Sequence, residues 1–355
     1  MVQNILITGA AGYIGGSVLS DLLATSSSAL KGVRLYAAVR TQEQVQALSK
    51  LGVNVIQMDI SDAETATEAV LKNEIDMVVH TASSILADIP ILLIQALGQR
   101  RQVSGKQTYF IHSSVITIYS EEAGWPAGEV KDTDPLFQKE KELASQHPVV
   151  KTNIAVVEEA LKHDVKCVNI AVPTVYGTGT GQWRKLSVSI PAYIRVSIEH
   201  KIVYKFDKDG SPPAVHISDL AELYVILVEK ILQEEDIPMT ETGYYFAMAH
   251  RAPWWQIMDG IANALYARGL VPEPKVHIWP SDEMAAEYLG FPAAYIRAMG
   301  TASGNATPVN AYRLGWQPKW TQEKFLESID DEVQAVLDFD IGNTNIFKVL
   351  HPSEN

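Results

Sequence analysis

Residues 4–23 read NILITGAAGYIGGSVLSDLL and join a short apolar strand, a glycine-rich turn and the start of a helix. Gly9 permits a tight turn, Gly12 lets the backbone approach a pyrophosphate, and Gly15 lets the helix pack on the strand. The free N–H groups and the positive dipole end of the helix then face an anion. This stretch predicts the dinucleotide-binding turn of a Rossmann unit. The residues expected to line it are Gly9, Ala11, Gly12, Tyr13, Ile14 and Gly15.

The composition is that of an ordinary globular protein. Of the 355 residues 47% are hydrophobic, and the formal net charge is −13. This acidic balance argues against nucleic acid and anionic membrane surfaces as partners. The longest apolar stretch, 85–97, contains Asp88 and Pro90 and is too short to span a bilayer. We therefore expect a small-molecule substrate, no nucleic acid and no membrane.

Cysteine and histidine usage bounds the redox compartment and the metal chemistry. Cys167 is the single cysteine, which excludes an intrachain disulfide and a cysteine metal cluster. The 9 histidines show no H-x-x-x-H spacing, so no metal site is predicted. The chain enters its first strand without a basic and apolar leader, which predicts that there is no targeting segment. Together these features predict a cytoplasmic protein.

The end of the second predicted strand, 33–40, bears on the choice of cofactor. In a Rossmann unit this end lies beside the adenosine ribose, where an acidic residue accepts hydrogen bonds from the 2′-hydroxyl of NAD. Here the strand ends in Arg40, and a cation suits a 2′-phosphate. We therefore expect NADP(H) to be preferred over NAD(H), with a solvated surface arginine as the alternative. Asp59 and Ile60, which follow the third strand at 54–58, are expected beside the adenine.

Strand-like runs recur at 77–83, 108–115 and 166–172 and alternate with helical segments, among them 148–163. Six such alternations predict an α/β fold with a doubly wound parallel Rossmann sheet. In such sheets, ligands and chemistry collect at the carboxyl ends of the strands. The residues expected at these ends, beside a cofactor, are Thr81, Ala82, Ser83, Pro173 and Val175.

Two serines close the fifth predicted strand. Ser113 and Ser114 stand at its exit, where a hydroxyl group can polarise a substrate oxygen. A serine that caps a turn is the alternative for each of them. His80, at the end of the preceding strand, fits a packed histidine better than a catalytic one.

The pattern changes after Gly177, where a glycine-rich loop leads to short elements rich in tryptophan and proline. We expect a Rossmann domain formed by 1–177 plus about 202–235. A smaller, mostly C-terminal substrate-binding lobe is expected from 178–201 plus about 236–341. Residues 342–355 are expected to be a peripheral tail.

Aromatic side chains are candidates for the walls of a substrate site, although aromatic pairs more often fill a core. The candidates are Tyr176, Trp183, Tyr193, Trp254 and Trp255. Asp219 is predicted to be the N-cap of a helix that follows a short strand. Arg297 and Arg313 are weaker candidates for binding an anionic substrate, because a surface arginine is more often solvated or paired.

The order of these motifs resembles that of the extended short-chain dehydrogenase/reductases, the group of NAD-dependent epimerases and dehydratases. The resemblance covers nearly the whole chain and is specific for fold and cofactor rather than for the reaction. The matching segments are Thr8-Gly9-x-x-Gly12-x-x-Gly15, Asp59, His80-Thr81-Ala82, Ser113-Ser114, Pro173-x-x-Tyr176-Gly177, residues 215–221 and Leu314-Gly315-Trp316-x-Pro318.

The resemblance implies a catalytic Ser-Tyr-Lys set. In that set the tyrosine is the acid/base, and the lysine lowers its pKa and holds the nicotinamide ribose. The pair comes as Y-x-x-x-K after the fifth strand, and here the segment has His147 in the tyrosine position and Lys151 in the lysine position. An imidazole titrates near neutral pH and can transfer protons there. The implied catalytic residues are Ser113, Ser114, His147 and Lys151, and Lys151 is also expected to contact the cofactor.

Three functions stay open at this point. The first is carbonyl reduction, alcohol oxidation or epimerisation of a small organic substrate, with His147 as the acid/base. The second is a non-redox isomerisation, cyclisation or elimination on the same scaffold. The third is a non-catalytic protein that binds NADP(H) and responds to it. Retention of Lys151 and of the serines favours the first two. A homodimer is also open, since relatives often dimerise through the helix that carries the lysine.

Overall fold

The computed structural model describes residues 2–339 of the chain. Its strands are β1 (Asn4–Thr8), β2 (Arg34–Val39), β3 (Asn54–Gln57), β4 (Met77–His80), β5 (Tyr109–Val115), β6 (Val130–Lys131), β7 (Lys166–Val172), β8 (Thr174–Tyr176), β9 (Val203–Lys205), β10 (Pro213–His216), β11 (Tyr244–Phe246), β12 (His250–Arg251), β13 (Val276–Ile278) and β14 (Ala306–Thr307).

The α-helices of the same residues are given next. They are α1 (Tyr13–Ala24), α2 (Gln42–Ser49), α3 (Ala63–Lys72), α4 (Asp88–Ser104), α5 (Leu136–Leu143), α6 (Pro148–His163), α7 (Ser189–His200), α8 (Ile217–Leu232), α9 (Trp254–Ala267), α10 (Asp282–Leu289), α11 (Ala298–Thr301), α12 (Asn310–Arg313), α13 (Gln322–Glu327) and α14 (Ile329–Phe339).

Seven parallel strands form the central sheet in the order β11–β7–β5–β4–β1–β2–β3. The chain starts in the middle at β1, adds β2 and β3 on one side, and then returns to build the other side from β4. The strand order therefore reverses between β1 and β4, where the strand ends open a crevice that suits a ligand. This arrangement confirms the predicted α/β fold with a doubly wound parallel sheet.

Apolar side chains fill both faces of the sheet, as expected for strands that are covered by helices on each side. One face packs against α3, α4 and α6, with Leu93 and Val156 fully buried. The other face packs against α1 and α8, with Val18 and Leu227 fully buried. Both layers hold the carboxyl ends of the strands in place, so the crevice is a rigid feature of the fold.

The smaller lobe has a hydrophobic core of its own, built mainly from α7, α9 and α14. Its boundaries differ from the expected ranges in two places. Strand β9, expected in the Rossmann domain, pairs with β13 of the lobe. Strand β11, expected in the lobe, pairs with β7 and forms an edge of the central sheet. Strands of three residues carry too little sequence pattern to reveal their partners. The expected tail at 342–355 lies outside the described residues.

The start of α8 also differs from the expectation. His216 is the N-cap, because its Nδ1 accepts the backbone N–H of Ser218 at 3.2 Å. Asp219 lies inside the first turn and is buried. Its Oδ2 accepts the backbone N–H groups of Lys319 and Trp320, both at 3.0 Å. The prediction of Asp219 as the N-cap was wrong, since this carboxylate binds a distant backbone segment instead.

Candidate active site

The glycine turn has the steric constraints of a cofactor cradle. Gly9 has a φ of +73°, and a Cβ there would lie 2.8 Å from Thr81 Oγ1. A Cβ at Gly15 would overlap with the same hydroxyl group and with the carbonyl oxygen of Gly9. The backbone N–H of Gly12 donates to that carbonyl at 2.7 Å and closes the turn. The turn therefore keeps its backbone exposed to the crevice, which a pyrophosphate requires.

The first turn of α1 faces the crevice without a side-chain cap. Gly12 occupies the N-cap position and offers no side chain to the first helical N–H groups. Such groups are suited to bind phosphate oxygens. Tyr13 points away from this end, and its hydroxyl group donates to the carbonyl oxygen of Gly177 at 2.7 Å. Ala11 is buried and Ile14 is half-buried in the same turn, so the backbone forms the cradle while these side chains anchor it.

Two arginines, Arg40 and Arg184, lie near each other at the β2 end of the crevice. Arg40 is exposed after β2, and Arg184 is half-buried in the loop that follows β8. Burial lowers the pKa of Arg184, and the charge of Arg40 lowers that pKa further. Within residues 2–339, neither guanidinium group forms a hydrogen bond or an ion pair. Two cations held together in this way favour an anion between them.

The glycine-rich loop that carries Arg184 is attached to α1. The backbone N–H of Thr180 donates to Ser17 Oγ at 3.3 Å. Gly181 packs on Gly16 so closely that a Cβ at Gly181 would lie 2.9 Å from the Gly16 Cα. The loop therefore crosses the helix at the cofactor turn, and this crossing brings Arg184 to the β2 end of the crevice.

Asp59 and Ile60 follow β3 next to Arg40. Asp59 is exposed, and its Oδ1 accepts the Ser61 backbone N–H at 2.9 Å and the Ser61 hydroxyl at 2.7 Å. These hydrogen bonds lower the pKa of Asp59, and Arg40 lowers it further. Ile60 is half-buried and packs against the core of the sheet. The Asp59 carboxylate thus stays ionised and partly open to a ligand.

Residues at the exits of β4 and β7 border the cradle. Thr81 Oγ1 donates to the carbonyl oxygen of Thr8 at 2.8 Å and so joins β4 to the glycine turn. Ala82 is exposed and Ser83 is half-buried just beyond it. Pro173 links β7 to β8 and is buried, and Val175 is half-buried within β8. All of these residues lie at carboxyl ends of parallel strands, as a cofactor site requires.

The two serines of β5 point to opposite faces of the sheet. Ser113 Oγ donates to the carbonyl oxygen of His80 at 2.8 Å and lies 2.6 Å from the hydroxyl group of Tyr224. Ser114 is 2% exposed, and its Oγ has no hydrogen-bond partner among the described residues. Both hydroxyl groups are buried in this structure, and the contact of Ser113 or Ser114 with a substrate oxygen stays a prediction. Because successive residues of a strand point to opposite faces of the sheet, two adjacent serines cannot both contact the same ligand.

His147 is the N-cap of α6, and its imidazole is already oriented. Its Nδ1 accepts the backbone N–H of Val149 at 3.3 Å. The ring lies 5.5 Å from the ring of Tyr295, which belongs to the lobe and is 42% exposed. Burial lowers the pKa of His147. A neutral imidazole that accepts at Nδ1 carries its proton at Nε2, so His147 presents a donor.

Lys151 follows His147 by one helical turn. Its side chain is exposed, and Nζ donates to Gln146 Oε1 at 2.7 Å. Because residues i and i+4 share a helix face, the two groups stand on the same side of α6. The predicted spacing of an acid/base and a lysine is therefore realised in three dimensions, with Gln146 as the present partner of the lysine.

Most of the aromatic substrate candidates lie in a core. Tyr193 is 2% exposed and Trp254 is 1% exposed within the core of the lobe. Tyr176 is fully buried, and its hydroxyl group lies 2.8 Å from His250 Nε2. Trp255 is half-buried and donates through Nε1 to the carbonyl oxygen of Phe206 at 3.2 Å. The interpretation of Tyr176, Tyr193 and Trp254 as open walls was wrong, because these rings fill the core themselves.

Trp183 differs from the other candidates, since it is 43% exposed beside Arg184.

Sequence inspection missed two residues of the candidate site, Arg184 and Tyr295. Arg184 lies in a loop whose only signal is a run of glycines, and Tyr295 lies in a short segment that carries no motif. Their importance depends on tertiary contacts with Arg40 and His147, which no local pattern encodes.

The chain belongs to the NAD dependent epimerase/dehydratase family, whose sequence pattern matches residues 5–238. An uncharacterized protein of Schizosaccharomyces pombe is 25% identical over 335 residues, which are 89% of this chain and 95% of that protein. The predicted resemblance to extended short-chain dehydrogenase/reductases is thereby confirmed at the level of the family.

Solved structures share the fold at low sequence identity. UDP-glucose 4-epimerase of Thermus thermophilus, a complex with NAD, is 17% identical with a TM-score of 0.61, and the match covers 94% of this chain and 99% of that one. dTDP-glucose 4,6-dehydratase of Bacillus anthracis, also with NAD, is 14% identical with a TM-score of 0.65, and the match covers 95% and 98%. In residues 2–339, no helix combines the length and the apolar character that crossing a membrane requires.

Proposed function

We propose that this protein binds NADP(H) in the glycine turn and acts on a small organic substrate with His147 in place of the family tyrosine. The reaction is carbonyl reduction, alcohol oxidation or epimerisation. The observation that carries the proposal is the start of α6, where an oriented imidazole stands one helical turn before Lys151. When bound, the nicotinamide ring would supply or accept the hydride.

The cofactor part of the proposal rests on the cradle. Gly9 and Gly15 leave room where any side chain would collide with Thr81, and the end of α1 offers uncapped N–H groups. Solved family members with this fold are complexes with NAD. The residues proposed to contact the nicotinamide half are Lys151 and those at the exits of β4 and β7.

The preference for NADP(H) rests on Arg40 and Arg184. An adenosine 2′-phosphate carries close to two negative charges, and it would relieve the repulsion between the two guanidinium groups. A 2′-hydroxyl cannot do this, and an acidic acceptor for it is absent from the position of Arg40 at the end of β2. The pair therefore favours NADP(H) over NAD(H), as Arg40 alone already suggested.

His147 fits the role of a hydrogen-bond donor to a substrate oxygen. Its Nδ1 accepts the Val149 N–H, and its Nε2 has no partner among the described residues. A donor at Nε2 would stabilise the negative charge that grows on a carbonyl oxygen as hydride arrives. Protonation of Nδ1 would break the cap, so the lowered pKa keeps the ring in its donor form at neutral pH.

The substrate side favours a small molecule without a diphosphate group. The Arg251 guanidinium donates to the carbonyl oxygens of Ser211 at 2.9 Å and of Gly304 at 2.8 Å, so it is already satisfied. Arg297 is paired with Asp207 and Asp282. The cavity next to Arg251, about 370 Å³ in volume, includes the carboxylates of Glu121 and Glu122 in its lining. Glu122 is paired with Lys208 at 3.6 Å, so Glu121 is the carboxylate of this lining that we propose to accept hydroxyl or ammonium groups and to disfavour phosphates.

We extend the proposal to location and assembly. Cys167 is buried and unpaired, which agrees with the reducing environment of the cytoplasm. Helices α4 and α6 expose Val103 and Leu161, and these two helices pack side by side, so they offer a face for a homodimer. Analytical ultracentrifugation tests the assembly directly: a dimer of the wild type that L161E converts to a monomer is expected, and a monomeric wild type contradicts it.

The test of the function starts with cofactor binding. Purified protein is titrated with NADPH and with NADH, and binding is read from the quenching of tryptophan fluorescence. We expect tighter binding of NADPH. A screen of carbonyl and alcohol substrates then follows cofactor absorbance and product mass together. Product formation with cofactor oxidation supports the redox function, whereas product formation without net cofactor consumption points to epimerisation or to a non-redox isomerase, cyclase or lyase.

A second candidate function is that of a non-catalytic, NADP(H)-responsive binding protein. The specific observation in its favour is that the hydroxyl groups of Ser113 and Ser114 are both buried. The discriminating variant is K151M. In an enzyme that holds the nicotinamide ribose through Lys151, this change weakens NADPH binding and turnover. Unchanged NADPH affinity, together with no product in the screen, favours the binding protein.

A further inference from the structure

A row of polar side chains crosses the central sheet beneath α4 and α6. The strand register pairs Thr8 with His80, His80 with His112, His112 with Asn169, and Asn169 with Tyr244. Paired residues of a parallel sheet point to the same face, so these five side chains form one line. All five are buried. Buried polar groups are unfavourable unless they are hydrogen-bonded, so each member of the row needs a partner.

The row is satisfied at the end next to the glycine turn. His80 Nδ1 lies 2.7 Å from Thr8 Oγ1, and its Nε2 lies 3.1 Å from the carbonyl oxygen of Ser83. Burial lowers the pKa of His80 to about 4, so the ring is neutral near pH 7. This end therefore connects two segments of the proposed cofactor site, the glycine turn and the exit of β4.

The row is also satisfied at the other end, where it meets Glu140 of α5. The Tyr244 hydroxyl donates to Glu140 Oε2 at 2.8 Å. The Tyr119 hydroxyl and Asn153 Nδ2 donate to Oε1, both at 2.9 Å. Glu140 is fully buried, and burial raises its pKa to about 7. The three neutral donors favour the charged form but do not offset the burial, so we expect this carboxyl group to take up or release a proton near neutral pH.

The middle of the row lacks partners. Both ring nitrogens of His112 and both polar atoms of the Asn169 amide are buried without a hydrogen bond of ordinary geometry from the described residues, although the Asn169 amide lies close enough to the Tyr244 hydroxyl group to lower its pKa. The same is true of Ser114 Oγ, two residues further along β5, and of Asn153 Oδ1 on α6. Each such group costs roughly 1–3 kcal/mol when it is left unsatisfied. Six of these atoms between two strands and one helix therefore indicate internal water, which proteins use to satisfy buried polar groups.

Burial moves the pKa values of four titratable side chains near Glu140 away from neutral pH. Burial and the nearby carboxylate raise the pKa values of Tyr119 and Tyr244 well above their usual range. Burial raises the pKa of Cys167, beside Tyr244, to about 12, and it lowers that of His112 far below its usual value. The remaining charged or basic side chains of α5 and α6 are Lys139, Lys141, Glu142, Lys151, Glu158, Glu159, Lys162 and His163.

We propose that β5, β7 and α6 enclose a hydrated internal site in which water bound by His112, Asn169, Ser114 and Asn153 connects the Glu140 carboxyl group with the strand ends of the candidate active site. Glu140 is the proton-holding group of this site. A proton leaves its carboxyl oxygen for a bound water and returns by the same path. The connection to catalysis rests on the proposed function, whereas the hydrated site itself does not.

A high-resolution crystal structure of the full chain tests the hydration. The expected result is at least one ordered water within hydrogen-bond distance of both His112 and Asn169. A dry site, with these side chains bonded directly to protein atoms, overturns the proposal. The substitution H112F adds a second readout, because phenylalanine fits the stack with His80 and Phe110, whose ring centroids lie 5.8 and 6.4 Å from that of His112.

The stability of H112F separates a hydrated site from a dry one. If water satisfies the imidazole, the variant loses these hydrogen bonds and its melting temperature falls. If the site is dry, the variant removes two unsatisfied nitrogens and its melting temperature rises, which contradicts the proposal. The matched control is H200F, since His200 stacks on Tyr288 at 3.8 Å outside the row.

Infrared difference spectroscopy identifies the proton on Glu140. The wild type is expected to show the carbonyl stretch of protonated carboxyl groups that disappears as the pH rises through about 7. E140Q removes one such band, and the control E332Q removes a different one, because Glu332 also has a pKa raised by burial to about 7. An E140Q spectrum that titrates like the wild type overturns the assignment. None of these measurements uses cofactor or substrate, so they leave the proposed function to its own test.

Discussion

The glycine turn at 9–15 and the start of α6 at 147–151 are the two parts of the proposed active site, and they are constrained in different ways. In the turn, the constraints are steric: Gly9 has a positive φ, and a side chain at Gly15 would collide with the Gly9 carbonyl oxygen and with Thr81 at the exit of β4. At the start of α6, helix geometry sets the spacing of His147 and Lys151, and His147 is the residue proposed to take the place of the family tyrosine. His147 accepts the Val149 N–H, which a family tyrosine in that position would not do through its side chain.

Cofactor binding and catalysis are therefore proposed to depend on separate parts of this chain. The glycine turn, together with Arg40 and Arg184, favours a nucleotide that carries a 2′-phosphate, and this holds independently of the residues at the start of α6. The start of α6 supports a donor to a substrate oxygen whatever the nucleotide is. Variants that damage one region and spare the other therefore show whether the two regions serve one reaction.

The largest effect is expected from H147N once the screen has supplied a substrate. Asparagine caps a helix as well as histidine does, but it transfers no proton. Turnover is expected to fall by about 10²–10⁴-fold, while NADPH affinity and melting temperature stay unchanged. H163N, at the far end of α6, is the control. Full turnover by H147N would remove His147 from the chemistry.

The next largest effect is expected in the pH dependence of the free energy of unfolding, to which the buried Glu140 contributes. The pKa of Glu140 is raised from 4.5 to about 7 in the folded chain, so its stabilising contribution is present below pH 4.5 and is lost as the pH rises to 7. Glutamine does not titrate. Urea unfolding should therefore show E140Q gaining up to about 3 kcal/mol relative to the wild type across this range. E158Q, at the surface of α6, should show no such trend, and a constant difference for E140Q would contradict the account.

In the glycine turn, G15A is expected to weaken cofactor binding by about 100-fold, or roughly 2.8 kcal/mol. The added Cβ collides with Thr81 Oγ1 and with the carbonyl oxygen of Gly9, which displaces the cradle. G52A is the matched control, because Gly52 has a φ of +74° in open space and lies outside the crevice. Circular dichroism confirms that both variants fold. Normal affinity of G15A would show that the cradle does not hold the cofactor.

Much of this architecture could be predicted from the sequence. Residues 4–23, the strand–helix alternation and the bounds of α6 follow from apolar runs, glycine spacing and Pro148 at the first helical position. What could not be predicted depends on distant contacts. The sequence pattern of the three residues of β11 does not indicate that they extend the central sheet. The sequence around Asp219 likewise does not indicate that its carboxylate binds the backbone of Lys319 and Trp320.

The candidate site shows the same division. The cradle residues could be predicted because the spacing of their glycines is visible within a short stretch of sequence. The direction of the two β5 serines depends on which face each strand position takes, and Ser113 turned out to bind Tyr224 of α8. Arg184 was missed because its relation to Arg40 arises from a loop crossing α1. Tyr193 and Trp254 were misassigned, since an aromatic residue has the same sequence signature in a core as in a binding wall.

A smaller effect is expected from R184L, which removes one of the two cations at the adenosine end. NADPH affinity should fall by about tenfold, or roughly 1.4 kcal/mol, while NADH affinity stays the same. R313L, an exposed arginine on α12, serves as the control. Equal losses of affinity for NADPH and NADH would mean that Arg184 stabilises the loop and does not bind the 2′-phosphate.

The smallest effect is expected from H147A in the absence of any ligand. Removing the cap of α6 should lower the free energy of unfolding by about 1 kcal/mol, and H147N should restore it. Chemical denaturation of the three proteins measures this directly. If H147A is as stable as the wild type, the Nδ1 contact with Val149 does not orient the ring, and the donor form of His147 loses its structural basis.

The most direct test of the central claim is an equilibrium titration of the wild-type protein with NADPH and NADH under identical buffer and salt. The account predicts saturable binding of both, with NADPH at least about tenfold tighter because of Arg40 and Arg184. Tighter binding of NADH would contradict the assignment of the two arginines. Binding of neither nucleotide at millimolar concentration would contradict the cofactor site itself and leave the crevice to a different ligand.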